Sequence, residues 1–309
     1  MLGSERPWIS ENDDVQDEYH EIEFSREMSW FIQDAPLVGE GEVLVIYLAK
    51  SGNKKKMMIE KNLDNLSAAD VRAHWDLVEP AIRKEIRSFH DNKTFELRLR
   101  SKTSNICSSR WVHKFKMIDG KRQVKSRLTI RGFQDMSVDV NTYAGTATRW
   151  GQRMIASVSR QRTWRIFMSD VSSAFLRSMT FQQMSELSGV DAREVSFDPP
   201  TGSAGYFREL PGMNQYNEAT MTLGMLKPVY GLKDAPKAWK LQLDRVLRLA
   251  GGQQCHTDTC LWVWYDGSTG NLRLMLSTHV DNLKGTRDNA TIEHVLKALT
   301  REFGIQDRV

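Results

Sequence analysis

Two aspartates, each placed shortly after a predicted strand, are the residues of this sequence best suited to catalysis. Asp170 follows the apolar run Trp164–Met168, and Asp281 follows the run Leu272–Ser277. Phosphoryl transfer at a nucleic-acid end uses two Mg²⁺ ions about 3.5 to 4 Å apart, because one activates the attacking hydroxyl and the other stabilises the leaving group. One or two carboxylates, with phosphate oxygens and water, suffice to bind Mg²⁺. Asp170 and Asp281 together could form such a site, whereas either alone is more often a cap or turn residue.

A basic segment accompanies this pair. From Arg98 to Arg131 the sequence has eleven Lys or Arg and a single acid, Asp119, in a chain whose net charge is only +4. A concentrated basic segment serves either as a solvated face or as a phosphate-binding surface, and composition alone leaves both readings open.

The elements that must position these residues follow from periodicity and turn signals. Ser67 is a predicted N-cap of an amphipathic helix that runs to Phe89, and Pro80 is expected to kink or divide it. Trp164–Met168 is predicted to be a short buried strand that ends near Asp170. The other predicted elements are strands Trp111–Lys116 and Val124–Ile130 around a turn at Asp119 and Gly120, helices Arg149–Arg160 and Trp239–Leu249, a hairpin of Trp262–Tyr265 and Leu272–Ser277, and a final helix from the N-cap Asp288 to Phe303, with Gly304 as its C-cap.

The first 70 residues are predicted to be an acidic leader with a small hairpin, and they indicate no chemistry. Glu11 to Glu23 holds seven acids and no Lys or Arg, and Val43–Ala49 is a β-branched run followed by turn residues. Three cysteines cannot form a disulfide framework, and there is no secretory signal or apolar run long enough to span a bilayer. The sequence therefore predicts an intracellular protein of the cytoplasm or nucleus with no membrane partner, and leaves its oligomeric state open.

Five motifs in a fixed order resemble those of Ty1/copia-type retrotransposon reverse transcriptases. They are W-V-H-K-F-K at Trp111–Lys116 with K-S-R-L-T-I-R-G-F at Lys125–Phe133, D-V-S-S-A-F-L at Asp170–Leu176, Y-G-L-K-D-A-P-K-A-W at Tyr230–Trp239, D-T-C-L at Asp258–Leu261, and H-V-D-N at His279–Asn282. Five ordered motifs are far more specific than any one of them, and the resemblance extends from about Trp75 to the end of the chain.

The resemblance implies an α+β fold in which residues 71–309 form the fingers and palm of a right-hand polymerase, with an antiparallel palm sheet backed by helices. It also implies that the thumb and RNase H domains are missing from this chain. The implied activity is RNA-directed DNA polymerisation, with two Mg²⁺ ions or Mn²⁺, an RNA or DNA template with its primer, and deoxynucleoside triphosphates.

The same resemblance implies roles for individual residues. Asp170 and Asp281 would be catalytic and would bind the metal ions, while Phe175 would lie under the sugar and exclude a 2′-hydroxyl; core packing is the alternative for Phe175. The implied nucleotide-binding residues also include Lys125, Arg127, Tyr230, Gly231 and Lys233, although a helix-entry turn explains the last three equally well; the implied nucleic-acid contacts are Lys114, Lys116 and Arg131.

Three positions depart from the family pattern. Asn282 stands where the family has the second turn aspartate, which removes a negative charge from the metal site. His279 replaces a tyrosine and is expected to pack in the turn, and Asp234 replaces a glutamine, so that an acid lies close to the expected phosphates unless Lys233 or Lys237 offsets it. The alternative function is therefore a catalytically inactive transposon remnant that only binds nucleic acid. A zinc site at Cys255, His256 and Cys260 is not favoured, because the set lacks a C-x-x-C pair and a fourth ligand.

Overall fold

The computed structural model describes residues 65–118, 121–138, 140–287 and 292–303. The predicted acidic leader and its hairpin, the turn at Asp119 and Gly120, and the predicted caps Asp288 and Gly304 lie outside these ranges. The described chain falls into two compact units. The smaller one contains residues 65–83 and 111–127, and the larger one contains residues 84–110 and everything described after residue 127.

The N-terminal helical region consists of α1 (Ala68–Ala73) and α2 (Trp75–Asp91). Ser67 caps α1 as predicted, since its side chain accepts a hydrogen bond from the backbone of Asp70 and the Asp70 carboxylate accepts one from the backbone of Ser67. The break between the helices falls at His74, whereas Pro80 lies inside the continuous helix α2. The prediction that Pro80 divides the helix is therefore wrong.

A first five-stranded sheet has the order β1-β6-β5-β2-β3. Its strands are β1 (Phe95–Leu99), β2 (Ile106–Ile118), β3 (Lys121–Ile130), β5 (Ser196–Asp198) and β6 (Met221–Met225). β1 and β6 are antiparallel, and Ile106–Ser108 of β2 pairs in parallel with β5. The distal parts of β2 and β3 belong to the smaller unit, where the two predicted basic strands are confirmed and extended.

A second five-stranded, antiparallel sheet lies entirely in the larger unit, in the order β4-β10-β9-β8-β7. Its strands are β4 (Arg165–Asp170), β7 (Gln253–Gln254), β8 (Leu261–Tyr265), β9 (Leu272–His279) and β10 (Asn282–Arg287). β4 is an edge strand, and Ile166 and Met168 on it are 44% and 60% exposed. The prediction of a buried strand is wrong here, because a strand at the edge of the sheet has a neighbouring strand on one side only.

Helices cover both faces of the second sheet. The large core joins α6 (Ala235–Leu249) and α7 (Ile292–Phe303) to alternate residues of the sheet, including Trp262 and Trp264. On the opposite face Ile155 of α3 (Arg149–Arg162) packs against Leu261, Val263 and Met275. Two shorter helices, α4 (Phe181–Ser188) and α5 (Ala204–Arg208), complete the larger unit.

The predicted helices Arg149–Arg160 and Trp239–Leu249 are confirmed as α3 and α6, and Leu249 at the end of α6 is 77% exposed. The fold is α+β, as the sequence predicts. Within the described ranges, no helix is long and apolar enough to cross a lipid bilayer.

Candidate active site

The two candidate aspartates lie at the same end of the second sheet. Strands β4 and β10 pair antiparallel, with Asp170 directly opposite Asn282. The backbone N–H of Val171 donates a hydrogen bond to the carbonyl of Asp281 at 2.9 Å. Since residues directly opposite each other have Cα atoms roughly 4.5 to 5.5 Å apart, the register brings Asp170 beside the turn that carries Asp281.

The turn between β9 and β10 has an unusual backbone. His279 pairs with Asn282, so Val280 and Asp281 form a two-residue loop. Val280 has a φ of 53°, in the left-handed region that a β-branched residue rarely adopts. The indole Nε1 of Trp239 donates a hydrogen bond to the carbonyl of Val280 at 2.6 Å, and the ring of Trp239 packs edge-on against Phe303 at 4.9 Å. The turn is therefore tied to helix α6, a contact that sequence reasoning did not assign.

The polar groups at this end of the sheet are accessible. Asp170 and Asn282 are exposed and Asp281 is partly buried. The Asn282 amide donates a hydrogen bond to the Asp281 carboxylate at 3.3 Å. His279 is exposed and does not pack as predicted.

The donor set suits Mg²⁺ in kind, because two carboxylates and an amide are hard oxygen donors, but Asn282 brings no charge. The described part of the chain contains no cluster of three or more His, Cys, Asp or Glu arranged to hold a metal ion.

The rings of Phe175 and Tyr230, which come from two different motifs, are in contact. Phe175 lies in a short 3₁₀ helix, Ala174–Arg177, which follows Asp170 through a tight turn with Ser173 at a φ of 55°. Its ring is half-buried, packs against the large core and meets Tyr230 edge-on at 5.5 Å. Tyr230 in turn packs near Phe89 at 6.3 Å. Both the core-packing role and an accessible ring edge are compatible with this position of Phe175.

Two motif glycines meet backbone to backbone. Gly231 has a φ of 96°, and a Cβ placed there would lie 1.9 Å from the carbonyl oxygen of Ile130. A Cβ on Gly132 would lie 2.2 Å from the carbonyl oxygen of Gly231. The backbone N–H of Ile130 also donates to the carbonyl of Tyr230 at 2.9 Å. These contacts join the end of the R-G-F motif to the start of the Y-G-L motif, and Gly132 was not singled out from the sequence.

Asp234 is buried and paired with an arginine. It is 1% exposed and receives two hydrogen bonds from the guanidinium of Arg193, at 3.1 and 2.6 Å. Arg193 also forms an ion pair with the buried Asp135. Neither Lys233 nor Lys237 is the counter-ion that the sequence suggested, and Lys233 instead donates to the carbonyl of Ser137 at 2.9 Å.

Burial raises the pKa of Asp135, but hydrogen bonds from Asn105, Ser137 and Arg193 outweigh it and lower the pKa to about 2. Asp135 therefore stays ionised at neutral pH. The single guanidinium of Arg193 binds two buried carboxylates, those of Asp135 and Asp234.

The smaller unit gathers the predicted basic residues. Lys114, Lys116, Lys125 and Arg127 line a groove of about 280 Å³ together with Val112 and Phe115. These six residues define the hairpin groove. Burial lowers the pKa of the neighbouring His113 to about 4, so that it is neutral at pH 7 and shares a 2.8 Å hydrogen bond with Ser126. Arg131 belongs to the larger unit, where it donates to the hydroxyl of Ser108 at 3.3 Å.

Comparison with known proteins relates the chain to reverse transcriptases. Residues 200–308 match the family described as Reverse transcriptase (RNA-dependent DNA polymerase). The chain is 26% identical over 233 residues, 74% of its length, to the Retrovirus-related Pol polyprotein from transposon RE2 of Arabidopsis thaliana. It is 24% identical to the corresponding polyproteins from transposon RE1 of Arabidopsis thaliana, over 65% of its length, and transposon TNT 1-94 of Nicotiana tabacum, over 74%.

The matched region identifies a reverse transcriptase domain in this chain. That domain is of the copia type, as its polyprotein relatives are. The chain spans only 14%, 12% and 16% of the lengths of these three relatives.

Proposed function

We propose that this chain is the fingers and palm part of an RNA-directed DNA polymerase, with the smaller unit in the fingers and the second sheet as the palm floor. The observation that carries the proposal is the register of β4 against β10, which brings Asp170 beside the turn of Asp281. A strand-end aspartate next to an acidic hairpin turn supplies two of the carboxylates that two-metal nucleotidyl transfer uses.

Each group has a defined task in this proposal. Asp170 and Asp281 would hold Mg²⁺ or Mn²⁺, which supplies charge neutralisation and activation of the primer hydroxyl. Lys125 and Arg127 would bind the triphosphate, and Lys114, Lys116 and Arg131 the template with its primer. Phe175, supported by Tyr230, would present a ring edge that excludes a ribose 2′-hydroxyl, while Gly231 and Lys233 would shape the pocket.

A second candidate is a catalytically inactive remnant that binds nucleic acid. Two observations favour it: Asn282 leaves the metal site one carboxylate short, and the hairpin groove gathers four cationic side chains without using that site. Binding of this kind would weaken steeply with salt, because cationic side chains displace counterions from phosphates.

Primer extension on an RNA template with Mg²⁺ or Mn²⁺ separates the two candidates. The polymerase candidate predicts incorporation that falls at least about hundredfold in Asp170→Ala, since a lost metal ligand costs several kcal/mol of transition-state stabilisation. Asp191→Ala, which removes an exposed acid outside the site, is the matched control. No incorporation by either the wild type or Asn282→Asp, with duplex binding retained, would leave only the binding candidate.

A further inference from the structure

Helix α3 carries positive charge that the proposed active site and the hairpin groove do not use. Its fourteen residues include Arg149, Arg153, Arg160 and Arg162 and contain no Asp or Glu. The helix lies outside the basic segment that ends at Arg131, so its charge is a separate feature of the molecule.

Three of these arginines form a stripe. At 3.6 residues per turn, Arg149, Arg153 and Arg160 fall within about 40° of one another around the helix axis, and they span about 16 Å along it. All three are exposed, whereas Ile155 and Ser159 are buried on the side that packs against the second sheet. Among the described residues, no carboxylate lies within ion-pair distance of any of the three.

An acid at the start of the helix is already engaged in hydrogen bonds. Asp258, from the D-T-C-L motif, is 8% exposed and accepts hydrogen bonds from the Thr148 hydroxyl at 2.6 Å and from the backbone of Cys260 at 2.9 Å. Thr148 in turn caps α3 by accepting from the backbone of Gly151 at 3.0 Å. Asp258 therefore fixes the start of the helix and does not neutralise the positive charge of the stripe.

An aromatic side chain borders the stripe. Trp150 is 75% exposed, and the guanidinium of Arg153 lies 5.6 Å from its ring centre. An exposed aromatic ring beside an arginine is a combination that nucleic-acid-binding proteins use, the guanidinium for phosphates and the ring for stacking on unpaired bases.

We propose that the stripe of Arg149, Arg153 and Arg160 binds the phosphate backbone of a nucleic-acid duplex. The inference rests on the proposed function only in taking nucleic acid as the ligand. A straight row of about 16 Å matches several successive phosphates of one strand, which are about 3.4 Å apart along the duplex axis. Because α3 packs on the sheet that carries Asp170 and Asp281, a duplex bound there would be held by the same compact unit as the candidate site.

The test measures binding of a fluorescent 20-base-pair duplex by anisotropy at several KCl concentrations, without metal or nucleotides. The variant R149Q/R153Q/R160Q should reduce the slope of log Kd against log [KCl] by about 2 to 3, since each phosphate contact contributes roughly 0.9. The control R208Q/R245Q/R301Q removes the same charge from exposed positions on α5, α6 and α7 and should change the slope by less than about 1. If the triple variant does not fold, Arg149→Gln and Arg160→Gln separately should each lower the slope by about 1.

Equal changes in the two triple variants would overturn the inference, because they would indicate a general effect of net charge. A stripe variant that loses binding to phosphatidylserine vesicles but keeps its duplex slope would also overturn it, in favour of a lipid ligand. The proposed polymerase function is tested independently: loss of the slope without any primer extension supports this inference alone, and an unchanged slope with intact extension refutes this inference alone.

Discussion

The indole nitrogen of Trp239 lies 2.6 Å from the carbonyl oxygen of Val280 and donates a hydrogen bond to it. Val280 precedes Asp281 and has a φ of 53°, so the hydrogen bond holds the turn in a conformation that its own sequence disfavours. Helix α6 thus controls the placement of one candidate metal ligand through a residue that touches neither metal nor nucleotide.

We expect Trp239→Phe to slow primer extension at least about tenfold, because small misplacements of catalytic groups have large effects on rate. The loss should appear in kcat more than in the KM for deoxynucleotide, since the binding residues are unchanged. Two tryptophans of the same core are matched controls: the Nε1 of Trp264 donates to Ala250 at 2.9 Å, and the Nε1 of Trp262 has no hydrogen-bond partner in the described structure. Equal rates for Trp239→Phe, Trp262→Phe and Trp264→Phe would show that the indole only fills space.

The glycine contact between the two motifs predicts opposite effects of alanine at different sites. Gly231→Ala should lower the free energy of unfolding by at least about 2 kcal/mol. The new side chain would be strained by the positive φ, and its Cβ would clash with the carbonyl oxygen of Ile130. Gly205→Ala, in helix α5 with nothing within 4 Å, should raise the free energy of unfolding by about 0.5 to 1 kcal/mol. Urea unfolding monitored by circular dichroism measures both, and a stable Gly231→Ala would mean that the two backbones can separate at little cost.

Elements with strong local periodicity were predictable from the sequence. The alternation in Trp111–Lys116 and Val124–Ile130 predicted the basic hairpin, and the helical spacing of Leu243, Val246 and Leu247 predicted α6. The position of a strand within its sheet could not be predicted in the same way. Ile166 and Met168 are as apolar as residues of a central strand, and β4 is an edge strand only because it pairs with no strand other than β10.

The residues of the candidate site that belong to the sequence motifs were predictable from the sequence. Motif order indicated that Asp170 and the turn of Asp281 lie together, whereas the partner of Asp234 could not be found, since Arg193 is 41 residues away and belongs to no motif. Trp239 did carry a signal, as the last residue of the Y-G-L-K-D-A-P-K-A-W motif. Its spacing, however, says nothing about a hydrogen bond to a turn 41 residues later.

Among the charged residues of the larger unit, Arg193 is the one whose substitution we expect to lower the free energy of unfolding most. Arg193→Met would leave Asp135 and Asp234 buried without a counter-ion, and breaking a buried pair in this way costs about 3 to 5 kcal/mol. Arg193→Lys should recover only part of the loss, because one ammonium cannot form the two-pronged contact with Asp234 and reach Asp135 as well. Chemical unfolding at pH 7 gives the values, and a loss below about 1 kcal/mol in Arg193→Met would contradict the role of the network.

Stability should also fall in acid through Asp135. Its pKa in the folded protein is about 2, below the value of roughly 3.9 expected when unfolded. The stabilisation is therefore present above about pH 4 and is lost as the pH falls toward 2, by about 2 kcal/mol. Unfolding curves from pH 6 to pH 2 should show this loss in the wild type and a smaller one in Asp135→Asn, and identical pH profiles would assign the acid sensitivity to other carboxylates.

Restoring charge at position 282 tests the metal site without requiring catalysis. Asn282→Asp places a third carboxylate directly opposite Asp170 and next to Asp281, so that without metal the like charges should lower the melting temperature. Mg²⁺ should reverse this loss, because a ligand that binds only the folded state stabilises it in proportion to RT ln(1 + [L]/Kd). In the wild type, 10 mM Mg²⁺ should shift the melting temperature less, and in Asn214→Asp, an exposed control, no more than in the wild type. If Mg²⁺ does not change the melting temperature of Asn282→Asp, the register of β4 and β10 does not bring these carboxylates close enough to share an ion. The nucleotidyl-transfer proposal would then lose its structural basis.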